Sequence, residues 1–317
     1  QGGRDYLFCE ADLRAKRIAN FAQCNRPAAL VRQMIGNPNL KPEESESFSY
    51  GAVLTPPLPD GWGRLTFTID RWKIQQQNAV GLVNAQDEAT LDYLLRVRGS
   101  RDPLVQRLAP TADEVALFAG TGLAPAGQLL NMQLTFQNFL PITVEGLDLN
   151  LDYRLRGTSL GNFSVNVNSA KTIRYFQAPN SIGDQLAEGQ AKGEINAGVP
   201  LTAGGDFVAK NGRPKWRHSV NLTWSKGPVQ IGSLIRYTGK VNIIDVIDAN
   251  NNPFPLKATT TVNLYGTYAF EERDNVLNRS SVTIGVRNVF DKDPPFTSAG
   301  YLAALYQPQA RYWYASL

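Results

Sequence analysis

Apolar and polar residues alternate strictly over long stretches of the chain. Between Leu147 and Leu155 every odd position is apolar, while Asp148, Asn150 and Asp152 occupy even positions. A period of two is that of a β-strand, so this stretch predicts one oily face and one charged face. Strands of a β-sandwich also alternate, but an unbroken run of charged and amide side chains is typical of the wet interior of a barrel.

The same alternation recurs along most of the chain, and helical spacing fits none of the segments. The apolar positions are Leu65, Phe67 and Ile69; Phe163, Val165 and Val167; Val220, Leu222 and Trp224; Val229 and Ile231; Val262 and Leu264; and Val282, Ile284 and Val286. We predict about nine strands, at 44–55, 63–76, 129–156, 161–177, 214–225, 229–240, 259–270, 281–290 and 310–317.

The connections between these strands alternate between short and long. Short turns lie at 56–61, 157–161, 225–228 and about 271–280, and long connections take up the first forty residues, 77–128, 178–213, 241–258 and 291–309. The alternation requires 129–156 to be one strand, bent near Pro141. Short turns on one side and long loops on the other are typical of outer-membrane barrels, and aromatic residues near strand ends suit the two membrane interfaces.

Composition narrows the class of protein further. The 317 residues carry a formal net charge of only +4 and contain no run of five basic residues, which argues against nucleic acid as a partner. No stretch approaches 18 apolar residues, so no transmembrane helix is predicted, and the first residues lack the apolar core of a signal peptide. Cys9 and Cys24 favour a disulfide in an oxidising compartment, the alternative being two free buried thiols.

Residues that could perform catalysis are few. The single histidine, His218, shares the parity of Val220 and Leu222, which indicates a barrel residue rather than a general base, and the chain has no Gly-x-Ser-x-Gly motif. Gly204-Gly205 lacks the strand-to-helix setting of a phosphate loop, and the acidic pairs Asp87-Glu88 and Asp113-Glu114 lack the spacing of a calcium loop. We therefore predict no enzyme activity, no cofactor and no metal site.

Two segments resemble a known family. Gly36 to Ser45 reads GNPNLKPEES and precedes a predicted strand that ends at Thr55-Pro56, and Gly285 to Pro295 reads GVRNVFDKDPP, followed by Arg311 to Tyr314. Both resemble barrel segments of TonB-dependent receptors, the second being similar to their C-terminal signature. Between them, the strands around Asp70 and Trp72 and from Asn138 to Gly146 are also similar to the family.

The resemblance implies an all-β fold, a transmembrane antiparallel barrel of which this chain is the C-terminal part. Transporters of this class close with about 22 strands, and neither the plug domain nor the TonB box is recognisable here. We expect residues 1–43 to form an extracellular loop with the disulfide and residues 44–317 to supply barrel strands. Their location would be the outer membrane of a Gram-negative bacterium, in contact with its lipid.

The function implied by the resemblance is active import of a scarce nutrient of siderophore, cobalamin or oligosaccharide type. The TonB–ExbB–ExbD complex would supply the energy through a TonB box outside this chain, and an accessory lipoprotein is a further candidate partner. Two alternatives stay open, a passive porin-like channel and a soluble, secreted β-sandwich binding protein. Side chains in or beside the long loops are the candidates for substrate contact, namely Tyr93, Arg96, Arg98, Phe118, Phe176, Phe207 and Phe254.

Overall fold

A computed structural model describes residues 2–139, 141–201, 204–247, 252–270, 280–297 and 300–317. Nine strands follow one another in a single antiparallel meander, each hydrogen-bonded to the next in the chain. They are β1 (Glu44–Leu54), β2 (Arg64–Gln77), β3 (Ile142–Thr158), β4 (Gly161–Gln177), β5 (Trp216–Lys226), β6 (Val229–Thr238), β7 (Thr259–Ala269), β8 (Ser281–Arg287) and β9 (Tyr312–Ser316). A two-residue strand, Gly205–Asp206, pairs with the end of β4.

Cross-strand register gives this sheet one apolar face. Leu151 on β3 lies opposite Phe67 on β2 and Val167 on β4. The same row continues through Val220, Ile235 and Val262. Large apolar side chains of this face are exposed, among them Leu222, Ile231, Leu264, Ile284 and Trp313. Such a broad exposed apolar surface is typical of a barrel wall that faces lipid.

The opposite face of the sheet is polar. Asn150 lies opposite Thr68 and Asn168, one residue away from the apolar row. Its row continues through Ser219, Arg236 and Thr261. The alternation between Leu147 and Leu155 therefore extends from strand to strand as continuous apolar and polar rows. The prediction that the strands have one apolar face and one polar face is confirmed.

The predicted strand 129–156 is wrong in its extent. Residues Leu129–Thr135 form a separate strand that pairs in parallel with Arg32–Ile35 and antiparallel with Val105–Arg107, away from the large sheet. Strand β3 begins only at Ile142. Both segments alternate, but Met132 and Leu134 are buried in a different apolar cluster. The number and the order of the nine strands are confirmed, whereas the predicted turn at about 271–280 lies, except for Ser280, outside the described residues.

Much of the long connections folds into one structured unit, which we call the loop body (residues 2–35, 79–135 and 181–201). Its helices are α1 (Tyr6–Arg14), α2 (Ala85–Val97), α3 (Ala112–Phe118) and α4 (Ser181–Ala191), with a short 3-10 helix at Phe21–Gln23. Small strands complete it, such as Gly2–Arg4 paired with Pro27–Ala29. Its Val80–Gly81 strand pairs with Gln137–Asn138, which lies just outside the loop body. Over the described residues, none of the helices is long and apolar enough to cross a membrane.

Each helix of the loop body begins at a polar capping side chain. Asp5 accepts a hydrogen bond from Leu7 N at the start of α1, and Asn84 accepts one from Gln86 N at the start of α2. Thr111 and Glu114 form a reciprocal capping box at α3, and Asn180 caps α4. These bonds satisfy backbone donors that the first helical turn leaves unpaired.

A second folded unit covers the same end of the sheet, and we call it the mouth cap. It consists of the paired strands Val241–Ile247 and Pro253–Leu256 together with residues 300–306. Val241, Leu256 and Tyr306 are buried in it, and Phe254 packs against them. Another small pair, Phe296–Thr297 with Gly300–Tyr301, adjoins the mouth cap.

Candidate functional site

The polar face of the sheet and the segment after β8 enclose a cavity of about 680 Å³. Its lining comes from β2, β3 and β4 and from the ends of β5, β6, β7 and β8 next to the long connections, together with residues 303–307. The cavity therefore lies at the mouth of the polar face, beneath the mouth cap. A concave space of this size is within the range of small-molecule sites.

Four cationic side chains line the cavity. Arg217 on β5 and Arg236 on β6 lie diagonally across the strand pair, since Arg236 is opposite Ser219 and Arg217 is opposite Thr238. Arg287 ends β8, and Lys292 follows it. All four side chains belong to exposed residues. Among the described residues none of the three arginines has an ion-pair partner, although Arg287 lies 5.4 Å over the ring of Tyr314.

Two acidic side chains line the cavity on the same face of the sheet, since Asp148 lies opposite Ala170 and Ala170 lies opposite Arg217. Asp70 and Asp148 face each other on β2 and β3 as a directly opposed pair. Trp72 Nε1 donates to Asp148 Oδ2 at 3.0 Å. Four cations against two carboxylates leave the cavity wall with an excess of positive charge.

Tyr306 connects the mouth cap to the cavity. Its side chain is only 4% exposed, yet its hydroxyl has no hydrogen-bond partner among the described residues. Burial raises the pKa of Tyr306, so that the hydroxyl keeps its proton at neutral pH and remains a donor. A buried hydroxyl without a partner is rare, because it loses its bonds to water and gains nothing in return.

Asn288 holds the base of the segment that covers the cavity. Its Nδ2 donates to Lys292 O at 3.0 Å and to Gln309 O at 3.1 Å, and its Oδ1 accepts from Lys292 N at 2.9 Å. Asn288 is buried and adopts a φ of 50°, a conformation that asparagine tolerates better than most residues. One amide thus joins both ends of the connection between β8 and β9, and it fixes Lys292 at the cavity wall.

The predicted substrate-contacting aromatics Tyr93 and Phe118 lie inside the loop body. Tyr93 is 0% exposed, and its hydroxyl donates to Glu10 Oε2 at 3.0 Å. Phe118 is also buried and packs edge-on against Phe8, with ring centroids 5.2 Å apart. In this arrangement both rings support the core of the loop body. Their role in substrate contact stays a prediction.

The predicted arginines of α2 lie near the surface of the same unit. Arg96 Nε lies 2.9 Å from Asp92 Oδ2 within the helix. Arg98 Nε donates to Glu194 Oε1 at 3.2 Å at an exposed position. Both guanidinium groups already have carboxylate partners, which an anionic ligand would have to share or displace.

Phe176, Phe207 and Phe254 lie nearer the sheet. Phe176 lies next to the last residue of β4, with the Arg174 guanidinium 4.9 Å from its ring centroid. The neighbouring Phe207 packs under Arg213, with the guanidinium 5.3 Å from its ring centroid. Phe254 packs within the mouth cap beside Tyr306. The seven predicted contact residues are therefore distributed over three places rather than one. None of them lines the cavity.

The cysteines form a disulfide in the structure. Cys9 on α1 is bonded to Cys24, with the two Cα atoms 5.5 Å apart, and both residues are buried in the loop-body core. The bond joins α1 to the segment after the 3-10 helix. The prediction of a disulfide is confirmed.

The carboxyl group of Glu88 on α2 has a raised pKa. Burial, followed by repulsion from Asp102 and a hydrogen bond with it, raises the pKa of Glu88 to about 7. Its side chain is 2% exposed, so water screens little of this effect. The loop body therefore contains a carboxyl group that titrates near neutral pH.

Two of the segments that carried the family resemblance meet in space. Asn138 Oδ1 accepts from Lys41 N at 2.8 Å, and its Nδ2 donates to Lys41 O at 2.9 Å and to Asn78 O at 2.7 Å. Nearby, Asn37 Nδ2 donates to Phe136 O at 2.9 Å. The asparagines thus join the chain entering β1 to the chain entering β3.

Sequence reasoning did not find the cavity residues. Arg217, Arg236 and Tyr306 are far apart in the chain, and only the strand register and the fold of the last connection bring them together. One signal was present, since Arg217 and Arg236 have the polar parity of their strands at the ends next to long connections. In the described part of the chain, no group of three or more His, Cys, Asp or Glu is placed to hold a metal ion.

Comparison with known proteins identifies the architecture. The model of the TonB-dependent receptor-like β-barrel family matches residues 13–289. No curated protein matches the chain. Among solved structures, the chain is similar to the siderophore receptor PirA from Acinetobacter baumannii, with 15% identity, a TM-score of 0.50 and coverage of 93% of this chain and 33% of that one.

A second similar structure is a double mutant of the ferric enterobactin receptor PfeA from Pseudomonas aeruginosa. Its identity is 16% and its TM-score 0.50, with 90% of this chain and 32% of that chain covered. At these identities the likeness concerns the fold. The chain spans about a third of the length of the solved structures that it matches.

Proposed function

This chain belongs to the TonB-dependent receptor family, and from that premise we propose that the protein imports a scarce nutrient across the outer membrane into the periplasm. Members of the family are transport receptors in the outer membrane of Gram-negative bacteria, and the chain is part of such a barrel. Its apolar face accordingly contacts lipid, and its polar face lines the lumen.

The cavity beneath the mouth cap is the observation that supports import best. It lies on the lumenal face, at the end where the long connections emerge, and connected loops cover it. In an outer-membrane barrel the long loops are extracellular. A substrate arriving from outside would therefore meet the mouth cap and the cavity before the rest of the lumen.

We further propose that residues 1–43 belong to the extracellular side and that residues 44–317 supply strands of one barrel together with their loops. Substrate contact by Arg98 and Phe176 is compatible with their partly exposed positions. Tyr93, Phe118 and Phe207 would reach a substrate only if the loops that bury them opened. Arg96 would contact the substrate at the edge of the loop body, and Phe254 would contact it at the edge of the mouth cap.

Energy for import would come from the inner-membrane TonB–ExbB–ExbD complex through a TonB box outside this chain, and an accessory lipoprotein could assist capture. The nutrient itself would be of siderophore, cobalamin or oligosaccharide type. PirA and PfeA bear the names of siderophore receptors, which makes an iron chelate the first of these to examine.

Uptake by the full-length protein tests the proposal. The gene would be expressed in a Gram-negative host lacking its own receptors, with and without a functional tonB gene, and given labelled ferric siderophores, cobalamin and maltodextrins in turn. We expect one substrate to accumulate, and only in the host with TonB. Equal accumulation in both hosts would indicate a passive channel instead.

A further inference from the structure

The apolar face of the sheet becomes cationic at the end next to the long connections. The apolar run of β3 begins there at Leu147, which lies opposite Arg71 on β2 and Lys171 on β4. Lys73 and Arg174 follow one row further out on the same two strands. Both rows keep the parity of the leucines, so these side chains leave the sheet on its membrane side. We call the four cations Arg71, Lys73, Lys171 and Arg174 the rim cluster.

The rim cluster carries more positive charge than its neighbours neutralise. Glu145, which lies between the two strands of the cluster, forms an ion pair with Arg71. The other three cations have no ion-pair partner within the described residues. Glu46 on β1 lies one row further out, opposite Gln75. Four cations against one carboxylate in these two rows leave an excess of positive charge on the membrane side.

Aromatic rings adjoin the rim cluster on the same face. Trp216 on β5 lies opposite Lys171, whose Nζ is 5.1 Å from the centroid of the indole ring. His218 stacks between Trp216 and Tyr237, with centroid separations of 5.3 Å on either side. Rings with a polar atom suit the headgroup layer of a membrane. The single histidine of the chain therefore belongs to an interfacial group.

The opposite end of the apolar face has no comparable cluster among the described residues. Its cation there is Lys226 at the end of β5, and the Nζ of that lysine donates to Ser159 O at 2.8 Å. The leucines at 147 and 155 bound the apolar run of β3. At about 3.4 Å per residue and a tilt of about 40°, they lie roughly 20 Å apart along the membrane normal, close to the usual height of the apolar band. The rim cluster thus lies at one membrane interface, on the extracellular side where the long connections emerge.

The spacing of the rim cluster restricts the ligand. Two of its cations lie on β2 and two on β4, with β3 between them, so the pairs are separated by two strand spacings or about 9.5 Å. Guanidinium and ammonium groups both bind phosphate oxygens. A headgroup with two phosphates joined by a sugar unit spans this distance, whereas a lipid with one phosphate reaches only one pair.

We propose that this side of the barrel binds the doubly phosphorylated sugar headgroup of a glycolipid in the outer leaflet. Arg71 and Lys73 hold one phosphate, Lys171 and Arg174 hold the other, and Trp216 packs against the sugar. Clusters of basic side chains at a membrane surface attract anionic headgroups in the same way. The inference uses the orientation of the barrel and is independent of which nutrient is imported.

Native mass spectrometry of the purified full-length receptor in detergent tests the site, because it counts the lipids bound to each protein. The probes are diphosphoryl lipid A, its monophosphoryl form and phosphatidylglycerol. We expect the diphosphoryl form to bind at least several-fold more tightly than the other two. Lys171→Gln and Arg174→Gln should each weaken its binding about fivefold or more. Trp216→Leu should weaken the binding of both sugar-bearing lipids and leave that of phosphatidylglycerol unchanged.

Lys226→Gln is the matched control for Lys171→Gln. It removes the same charge from the same face of the barrel, at the end next to the short turns. Its affinity for the diphosphoryl form should stay within about twofold of the wild type. Each variant is first shown to fold by its heat-modifiable migration in electrophoresis, which a collapsed barrel does not retain.

Three results would overturn the inference. Equal binding of the three lipids would mean that the protein does not recognise the phosphorylated sugar. An equal loss of affinity in Lys226→Gln and Lys171→Gln would indicate unspecific attraction. Complete displacement of the lipid by millimolar inorganic phosphate would assign the cations to free phosphate instead. Uptake is measured separately, so TonB-dependent import by a wild type without this lipid preference would leave the proposed function standing while the lipid site falls.

Discussion

Asn138 and Lys41 form a reciprocal pair of hydrogen bonds, with the asparagine amide spanning the backbone N–H and C=O of the lysine at 2.8 and 2.9 Å. A side chain that copies the bonding of a β-ladder can hold two separate strand entries in register. Here it ties the start of β1 to the start of β3, on either side of β2 in the sheet.

Asn138→Ala should loosen the entry to β1. The variant loses the two bonds to Lys41 and the bond to Asn78 O, a cost of about 1–3 kcal/mol at typical net values. Hydrogen–deuterium exchange should therefore accelerate at Lys41. Gln137→Ala is the control, because it alters the neighbouring residue and keeps these bonds. Equal exchange at Lys41 in the two variants would refute the expectation.

Arg107→Met should unfold the loop body locally while the barrel strands persist. The Arg107 side chain is 4% exposed. Its Nε lies 2.7 Å from Asp92 Oδ2, and its Nη1 lies 2.6 Å from Asp5 Oδ2. Removing Arg107 leaves the buried carboxylates without their ion-pair partner. A loss of this kind typically lowers the stability by about 3–5 kcal/mol. Hydrogen–deuterium exchange of helix α2 reports the loss.

The matched comparison is Lys192→Met, which breaks the exposed pair between Lys192 and Glu188 on α4. Exposed pairs contribute about 0–1 kcal/mol, so exchange in the loop body should hardly change. A similar effect of both substitutions would contradict the importance of burial.

Glu88 should make the loop body less stable as the pH rises. Its pKa is about 7 in the folded chain against an ordinary value of 4.5, so the folded state binds more protons between these values. The stabilisation from its proton is complete below pH 4.5 and is lost as the pH passes 7. Glu88→Gln should therefore raise the free energy of opening of α2 at pH 8 by about 1–3 kcal/mol, which slows hydrogen–deuterium exchange there. At pH 4.5 the exchange should change little.

Asp113→Asn serves as the control for Glu88→Gln, since Asp113 is an exposed carboxylate in the first turn of α3. Its replacement should give no comparable gain at pH 8. Should Glu88→Gln raise stability equally at both pH values, the effect would come from packing rather than from titration.

Loss of the disulfide should open the loop body toward proteases. The bond closes a loop with a sequence separation of 15, for which chain entropy predicts about 3 kcal/mol. Replacing Cys9 and Cys24 together by alanine should expose sites within residues 5–26 to protease added to intact cells. Treatment of the wild type with a reductant should give the same fragments, while the barrel keeps its heat-modifiable migration.

The two faces of β3 should differ in their tolerance of an added charge. Leu151→Arg places a cation on the apolar row, where the cost near the middle of the membrane is about 2–4 kcal/mol. Asn150→Arg places the same charge one residue earlier, on the lumenal face. We expect the first variant to reduce the fraction of folded barrel in the membrane and the second to leave it unchanged. A reversed order would mean that the faces are assigned the wrong way round.

Alternation predicted the sheet because each of its strands has two chemically different sides. The run from Leu147 to Leu155 and the segment around Val220 both lie where period-two reasoning put them. The same reasoning joined Leu129–Thr135 to β3, since a strand of the loop body alternates like a strand of the barrel. Period alone cannot tell which sheet a strand enters.

The site was less predictable than the sheet. Arg236 lies opposite Ser219, seventeen positions earlier in the chain, and no local pattern indicates which side chains a register brings together. Tyr93 and Phe118 were reasonable binding candidates as loop aromatics, but the loops have a core of their own and use both rings to fill it. Loops usually lie on the protein surface, so loop aromatics are expected to be exposed to solvent. This expectation does not hold for long connections that fold around a core of their own.

Strict alternation also constrains how this chain can change length over evolutionary time. A single added residue within Ile142–Thr158 would shift every later side chain of that strand to the other face, sending Asp148 or Asn150 toward lipid and the leucines toward water. An added residue between Ala109 and Thr111 alters only the route of a connection. Insertions and deletions should therefore accumulate in the loop body and the mouth cap, where they change the connections at little risk to the barrel wall.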